Sequence, residues 1–215
     1  MKSFVTYPLE FKTLLFPSQN QKSASGKLIA HYELFKKIAH LDGSIIKCGI
    51  TAEEGFTRFA MFKEMAGADI QQKMIAFQKI QPLFEEEINE FGTVTLKVKN
   101  SRISVETIHE TLSKNGIHQE VQFVPGVVCE SIPEFLIENP ELKISLLNVD
   151  LDDYDGTMTS LEFLYPRLVP GGILIIDNYY KHQSEYHAVN DYFHPRKVII
   201  NNFSIDRGPH YIIKP

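Results

Sequence analysis

Short apolar runs alternate with amphipathic stretches along most of this 215-residue chain, and that alternation constrains the fold more than any single motif. The runs are SIIKCGI (44–50), KMIAF (73–77), EVQFVPG (120–126), LKISLLNVD (142–150) and GGILIIDN (171–178). Each is strand-length and closely bounded. Between them, KLIAHYELFKKIAHL carries Leu28, Ile29, Tyr32, Phe35, Ile38 and Ala39 at helical spacing and stops at Asp42-Gly43. EEGFTRFAMFKEMAG turns Phe56, Phe59, Ala60 and Phe62 inward and stops at Gly67. SVETIHETLSKNG, SIPEFLIENP (Ser131 as N-cap, Pro133 near N1), TMTSLEFLYPRL and SEYHAVNDYF complete the helices. Such alternation predicts an α/β sandwich around a mostly parallel sheet. The last two apolar runs, KVIINNF and HYIIKP, have no room for a crossover helix between them and predict an antiparallel hairpin.

Two segments do not follow this rhythm. PSQNQKSASG (17–26) reads as a loop and makes residues 1–26 an N-terminal arm ahead of an α/β domain over 27–215. In residues 79–105, QPLFEEEINEF reads as a helix and TVTLKVKN as an exposed strand.

Chain composition narrows the function classes. The net charge of -5, with dispersed Lys and Arg, argues against a nucleic-acid binder. No window approaches a membrane span, and the N-terminus lacks the apolar core of a signal peptide, so a cytoplasmic location is the expectation. Cys48 and Cys129 lie in apolar stretches without metal-type spacing and read as buried reduced thiols. No nucleophile elbow or P-loop is present, and no two histidines have a helical metal spacing.

The chemistry concentrates at strand ends. In an open parallel sheet, ligands bind beyond the carboxyl ends of the strands. LKISLLNVD ends at Asp150 and GGILIID at Asp177, with Asn178 next and Asp152, Asp153 and Asp155 close by. If the two strands are neighbours, their carboxylates converge. Oxygen-only ligands suit a hard divalent cation. Acids at strand ends are equally the stuff of solvated turns and helix caps, and Asp153 and Asp155 read as turn and N-cap residues.

The stretch LLNVDLDDYDGTMTSLEFLYPRLVPGGILIIDNYY resembles the macrocin O-methyltransferase family, class I S-adenosylmethionine (SAM) dependent enzymes that methylate hydroxyls of antibiotic sugars and related glycans. YELFKKIAHLDGSIIKCG and VQFVPGVVCESIPEFLIENP extend the resemblance over about residues 27–194. It implies a class I methyltransferase-like fold. It also implies a divalent metal, magnesium by type, on Asp150, Asp177 and, in place of a third acid, Asn178. Asp152 matches the general base that takes the hydroxyl proton. The cofactor half departs from the pattern. Lys47 stands where the family has an acid before Cys-Gly49, Glu53 where it has a turn glycine, and Gln78 where the second strand ends in an acid. With Asp150, these residues are the expected SAM contacts.

The implied substrate is a sugar or small-molecule hydroxyl, with Tyr179 and His182 at its mouth and Tyr180 and His187 beside them. The alternative is a homologue that has lost SAM. It would serve as a non-catalytic partner of an active relative, or use the acidic strand ends for other chemistry. The arm residues Phe4, Tyr7, Phe11 and Phe16 suit a homodimer interface. Arg58 reads as a structural ion-pair partner.

Overall fold

In the computed structural model the described residues are 19–50, 54–67, 72–78, 82–88, 94–100, 110, 112–114, 116–117, 121–180, 183–203 and 208–215. The elements in chain order are α1 (Gln19–Ile38), β1 (Ser44–Ile50), α2 (Glu54–Ala66), β2 (Met74–Gln78), β3 (Pro82–Ile88), β4 (Val94–Asn100), β5 (Val121–Val124), α3 (Val128–Glu138), β6 (Ile144–Val149), α4 (Tyr154–Leu164), β7 (Leu168–Ile176), α5 (Gln183–Phe193), β8 (Asn201–Asn202) and β9 (His210–Ile213). Seven strands form one sheet in the order β5-β2-β1-β6-β7-β9-β8. The pairs from β5 through β7 are parallel, and β9 runs antiparallel to both β7 and β8. The expected sandwich and its C-terminal antiparallel hairpin are both present.

The pleat sorts the core into two layers. Ile46, Cys48, Phe77, Leu147, Val149, Leu174 and Ile176 meet α3, α4 and α5 through Ile132, Phe135, Leu161, Leu164 and Val189. The alternate residues, Ile45, Met74, Ala76, Leu146, Ile173 and Ile175, meet Leu34, Phe35 and Ile38 of α1 and Phe59, Ala60 and Phe62 of α2. Gln72 donates to the carbonyls of Ile38 and Leu41, satisfying acceptors that the end of α1 leaves open. Burial pushes the Cys48 thiol up to about 12, consistent with an inert core residue, while Cys129 is only half-buried.

Several sequence expectations change. Residues 19–26 are helical, not a loop, because α1 begins at Gln19. The inward stripe of α1 is Ala30, His31, Leu34, Phe35 and Ile38, while Ile29 (50% exposed) faces outward and Tyr32 (36%) sits at the edge with its ring against Phe62. The polar His31 takes an inward position because its partner, Asp177, lies beneath it. QPLFEEEINEF contains strand β3, which pairs antiparallel with β4. Cross-strand pairing, which sets Phe84 opposite Val98 and Glu85 opposite Lys97, overrides the helix preference of the glutamates. Helix α3 starts three residues before Ser131, so Ser131 caps nothing and Pro133 lies inside the helix. Asp153 is the N-cap of α4, accepting from the Gly156 N–H at 2.6 Å. No helix among the described residues is long and apolar enough to cross a membrane. The arm's aromatic residues 4, 7, 11 and 16 lie outside the described residues.

Gly49, the penultimate residue of β1, has a φ of +97°, and an added Cβ would lie 2.0 Å from the Asp150 carbonyl oxygen. Gly67 also has positive φ (+90°), but nothing lies within 4 Å of its virtual Cβ. Gly49→Ala is therefore expected to cost about 3 kcal/mol or more, and Gly67→Ala only about 1 kcal/mol. Thermal unfolding of the two variants side by side checks the contrast.

Candidate active site

The strand order reverses between β1 and β6, the topological switch point at which an open sheet leaves a crevice. β6 pairs with both β1 and β7, so Asp150 and Asp177 do lie at adjacent strand ends. The pleat turns Lys47 and its register partner Asn148 to the face that carries Ile45 and Leu146, toward α1 and α2. There the hydrophobic layer gives way to a polar one.

That layer is closely knit. The Lys47 ammonium, 3% exposed, donates to Asn148 Oδ1 (2.8 Å) and Asp150 Oδ2 (3.3 Å) and lies 4.0 Å from Asp177 Oδ2. Asn148 Nδ2 donates to the same Asp177 oxygen at 3.0 Å. From α1, Lys27 reaches Asp177 Oδ1 (3.3 Å) and Asp150 Oδ2 (4.0 Å). One turn on, His31 meets Asp177 Oδ1 at 2.8 Å and stacks on Phe59. Arg58 of α2 donates to His31 Nδ1 at 3.0 Å. An arginine can only donate, so Nδ1 holds the lone pair and Nε2 carries the proton given to Asp177. Burial foremost lowers the His31 pKa, with Arg58 and Lys27 assisting against Asp177, which agrees with this neutral tautomer. Burial alone would raise Asp177, but His31, Lys27 and Lys47 outweigh it and hold this carboxyl well below its ordinary range.

Asp152 and Asn178 form the outer edge. Asn178 turns its amide nitrogen to Asp150 Oδ1 (2.5 Å) and Asp152 Oδ1 (2.9 Å), as two carboxylates facing one amide require. Asp152 adopts φ +60°, the one positive φ outside glycine among the described residues. Aspartate tolerates this region better than most residues, and such backbones cluster at functional sites. Beneath this edge lies Glu185 of α5, fully buried, with Oε1 near the Asn178 N–H (3.4 Å) and Oε2 without a partner among the described residues. Burial first, then the charges of Asp150, Asp177 and Asp152, push it to about 8.

Tyr179 is buried and donates to Asn190 Oδ1 at 3.1 Å, while Tyr180 is 74% exposed. With Tyr186 and His210 they make an aromatic cluster beside the end of β7. Gln78 closes β2 and is buried. Glu53 and His182 lie outside the described residues, and His187 is exposed on α5. The sequence reading missed Lys27, His31, Asn148 and Glu185. The first two are an i, i+4 pair on α1, a spacing that puts them on one helix face.

The sequence pattern of the family described as Macrocin-O-methyltransferase (TylF) matches residues 60–213, well over half of the chain. The chain belongs to the macrocin O-methyltransferase family. Mycinamicin III 3''-O-methyltransferase of Micromonospora griseorubida is 36% identical over 77 residues, which are 35% of this chain and 29% of that relative. Demethyldecarbamoylnovobiocin O-methyltransferase of Streptomyces niveus is 26% identical over 141 residues, 63% of this chain and 52% of that one. The matches thus span about half or less of these curated relatives. Among solved structures, the apo form of CalS11, a TDP-rhamnose 3'-O-methyltransferase, superposes with a TM-score of 0.71 at 20% identity, covering 96% of this chain and 86% of the other. The O-methyltransferase NovP gives 0.63 at 18% identity, covering 86% and 80%. These likenesses show the class I methyltransferase fold.

The buried Glu185 makes stability depend on pH. The unfolded chain ionises this carboxyl near 4.5 and the folded chain near 8, so unfolding between those values releases a proton and stability falls as pH rises. Glu185→Gln is expected to flatten that slope and to stabilise the protein at pH 8 by on the order of 3 kcal/mol. Denaturant unfolding at a series of pH values across this window measures it.

Proposed function

We propose that this protein transfers a methyl group to a hydroxyl of a sugar or sugar-bearing small molecule, with Asp152 as the proton acceptor. The observation that carries this reading is the convergence of Asp150, Asp152, Asp177 and Asn178 at the β6 and β7 ends, at the switch point of a macrocin O-methyltransferase fold. The names of the relatives supply the substrate class: mycinamicin III, demethyldecarbamoylnovobiocin and TDP-rhamnose are their acceptors.

The methyl donor of such a reaction is SAM, which supplies an electrophilic methyl on a sulfonium. The residues that would hold it are Gly49, Asp150, Gln78 and, outside the described residues, Glu53. Lys47 appears at first to exclude a cationic cofactor. Its ammonium, however, is 3% exposed and committed to Asn148 and Asp150, so its charge is spent inside the sheet-to-helix layer. Asp150 keeps a quarter of its side chain exposed, which leaves negative charge at the crevice. Gln78 offers one neutral amide where two hydroxyls of a ribose would need partners.

The acceptor side follows from the chain's own groups. A hydroxyl is a weak nucleophile until its proton leaves, and a carboxylate within hydrogen-bond reach removes it as the methyl moves. Asp152 is held in place for that role by its φ +60° backbone and by the hydrogen bond that the Asn178 amide donates to Oδ1. Tyr180, exposed beside Tyr186 and His210, supplies an aromatic surface against which a sugar face packs. An asparagine at 152 keeps the hydrogen-bonding shape but cannot take the proton.

A second reading, a family member without SAM, is favoured by one observation: β1 carries Lys47 ahead of Gly49 and β2 ends in Gln78, neither of them acidic, and both are buried. Calorimetric titration with SAM separates the two. Micromolar binding by the wild type supports the transferase. Binding only by Lys47→Glu/Glu53→Gly/Gln78→Asp shows that the cofactor has been lost. In the transferase case, Asp152→Asn is expected to lower methyl transfer to a nucleotide-rhamnose acceptor by about 100-fold or more while SAM binding stays unchanged.

A further inference from the structure

The family resemblance calls for a divalent cation on Asp150, Asp177 and Asn178, and the residues present do not fit one. Two ammonium groups already bridge the two carboxylates. Lys47 lies 3.3 Å from Asp150 and 4.0 Å from Asp177, and Lys27 lies 3.3 Å from Asp177 and 4.0 Å from Asp150. The remaining oxygen of Asp150 faces the Asn178 amide nitrogen, a donor that cannot ligate a cation. His31 binds Asp177 through a protonated Nε2, so it too presents hydrogen and not a lone pair. No group of three or more His, Cys, Asp or Glu among the described residues has a metal-holding arrangement.

Charge gives the same answer. Asp150 and Asp177 each lie within ion-pair distance of both Lys27 and Lys47, so among the described residues two carboxylates already face two ammonium groups. A dication would add positive charge beside a 3%-exposed ammonium.

We propose that Lys27 and Lys47 replace the divalent metal: their ammonium groups bridge Asp150 and Asp177, and the strand-end site operates without a metal ion. The roles divide by depth. Lys47, buried, fixes the two strand ends relative to each other. Lys27, 26% exposed on α1, is the cation that an acceptor hydroxyl at the Asp152 edge meets. This rests on the transferase reading only for the acceptor, since the electrostatic replacement stands whether or not methyl transfer occurs.

The test is titration with magnesium and manganese chlorides by calorimetry, with thermal unfolding in either salt and in EDTA. Wild type, Lys27→Met and Lys47→Met are compared, and SAM is titrated in EDTA and in magnesium. The expected result is no saturable metal binding by the wild type and an unfolding midpoint indifferent to EDTA. Lys27→Met should unfold several degrees lower, with part of that loss recovered in millimolar magnesium. Lys27 is partly exposed, so this variant carries the test even if Lys47→Met fails to fold. Stoichiometric, micromolar magnesium or manganese binding by the wild type would overturn the proposal, as would a Lys27→Met variant that neither loses stability nor responds to magnesium. Metal binding with SAM binding sinks the lysine replacement and leaves the transferase standing. Absence of both sinks the transferase and leaves the lysine replacement standing.

Discussion

The buried ammonium of Lys47 sets the terms for everything around it. A lysine taken out of water costs several kcal/mol unless its charge is matched and its donors are used. Here the match comes from β6 and the turns that follow it and β7: Asn148 at 2.8 Å, Asp150 at 3.3 Å and Asp177 at 4.0 Å. Three adjacent strand ends must therefore keep one register. Asp177 in turn is buried and ionised, and it needs more than Lys47 gives it, so α1 brings Lys27 and His31. His31 then requires a donor on its far side, which α2 supplies in Arg58. A single misfit charge in β1 thus accounts for why two helices present polar side chains where the rest of their packed faces is Leu34, Phe35, Phe59 and Phe62.

Such a cluster is better read as a specifier of arrangement than as a source of stability. Buried ion pairs seldom outperform a well-packed apolar alternative, but removing one member strands the others. The apolar layers on both sides of the sheet, dominated by Ile, Leu, Val and Phe, supply the stabilising burial. The polar layer fixes how α1 and α2 are placed over the β6 and β7 ends. The αL backbone of Asp152 and the buried Glu185 go further in the same direction. Both are unfavourable locally, and both lie at the edge of this layer.

Most of the fold was legible because its parallel strands are short, apolar and separated by helical periods, as in SIIKCGI and GGILIIDN. The failures have physical causes. QPLFEEEINEF carries helix-favouring glutamates, and only its partner β4 makes it a strand, a non-local fact. Apolar spacing alone places Ile29 inward on α1 and leaves His31 out, the reverse of what the helix does. A periodicity argument counts hydrophobicity and cannot see that a carboxylate 146 positions later will want an imidazole. In the site, Asp150, Asp152, Asp177 and Asn178 were legible as acids and amide at strand ends. Their partners were not, because Lys27, Asn148 and Glu185 look like ordinary surface or strand residues until the sheet is closed.

Lys47 also looked, in the sequence, like an obstacle to a cationic ligand, and its burial changes the meaning of the substitution. An exposed lysine in the crevice would repel a sulfonium; one with 3% exposure and a carboxylate at 3.3 Å presents little net field to it. The same burial works against a dication, because the carboxylate oxygens that would ligate it are those the lysines occupy. On the proposed reading, the burial of Lys47 leaves the cofactor side permissive, while Lys47 and Lys27 together take up the carboxylates of the metal side. That asymmetry follows from where the ammonium points, toward β6 and α1, and not from its charge alone.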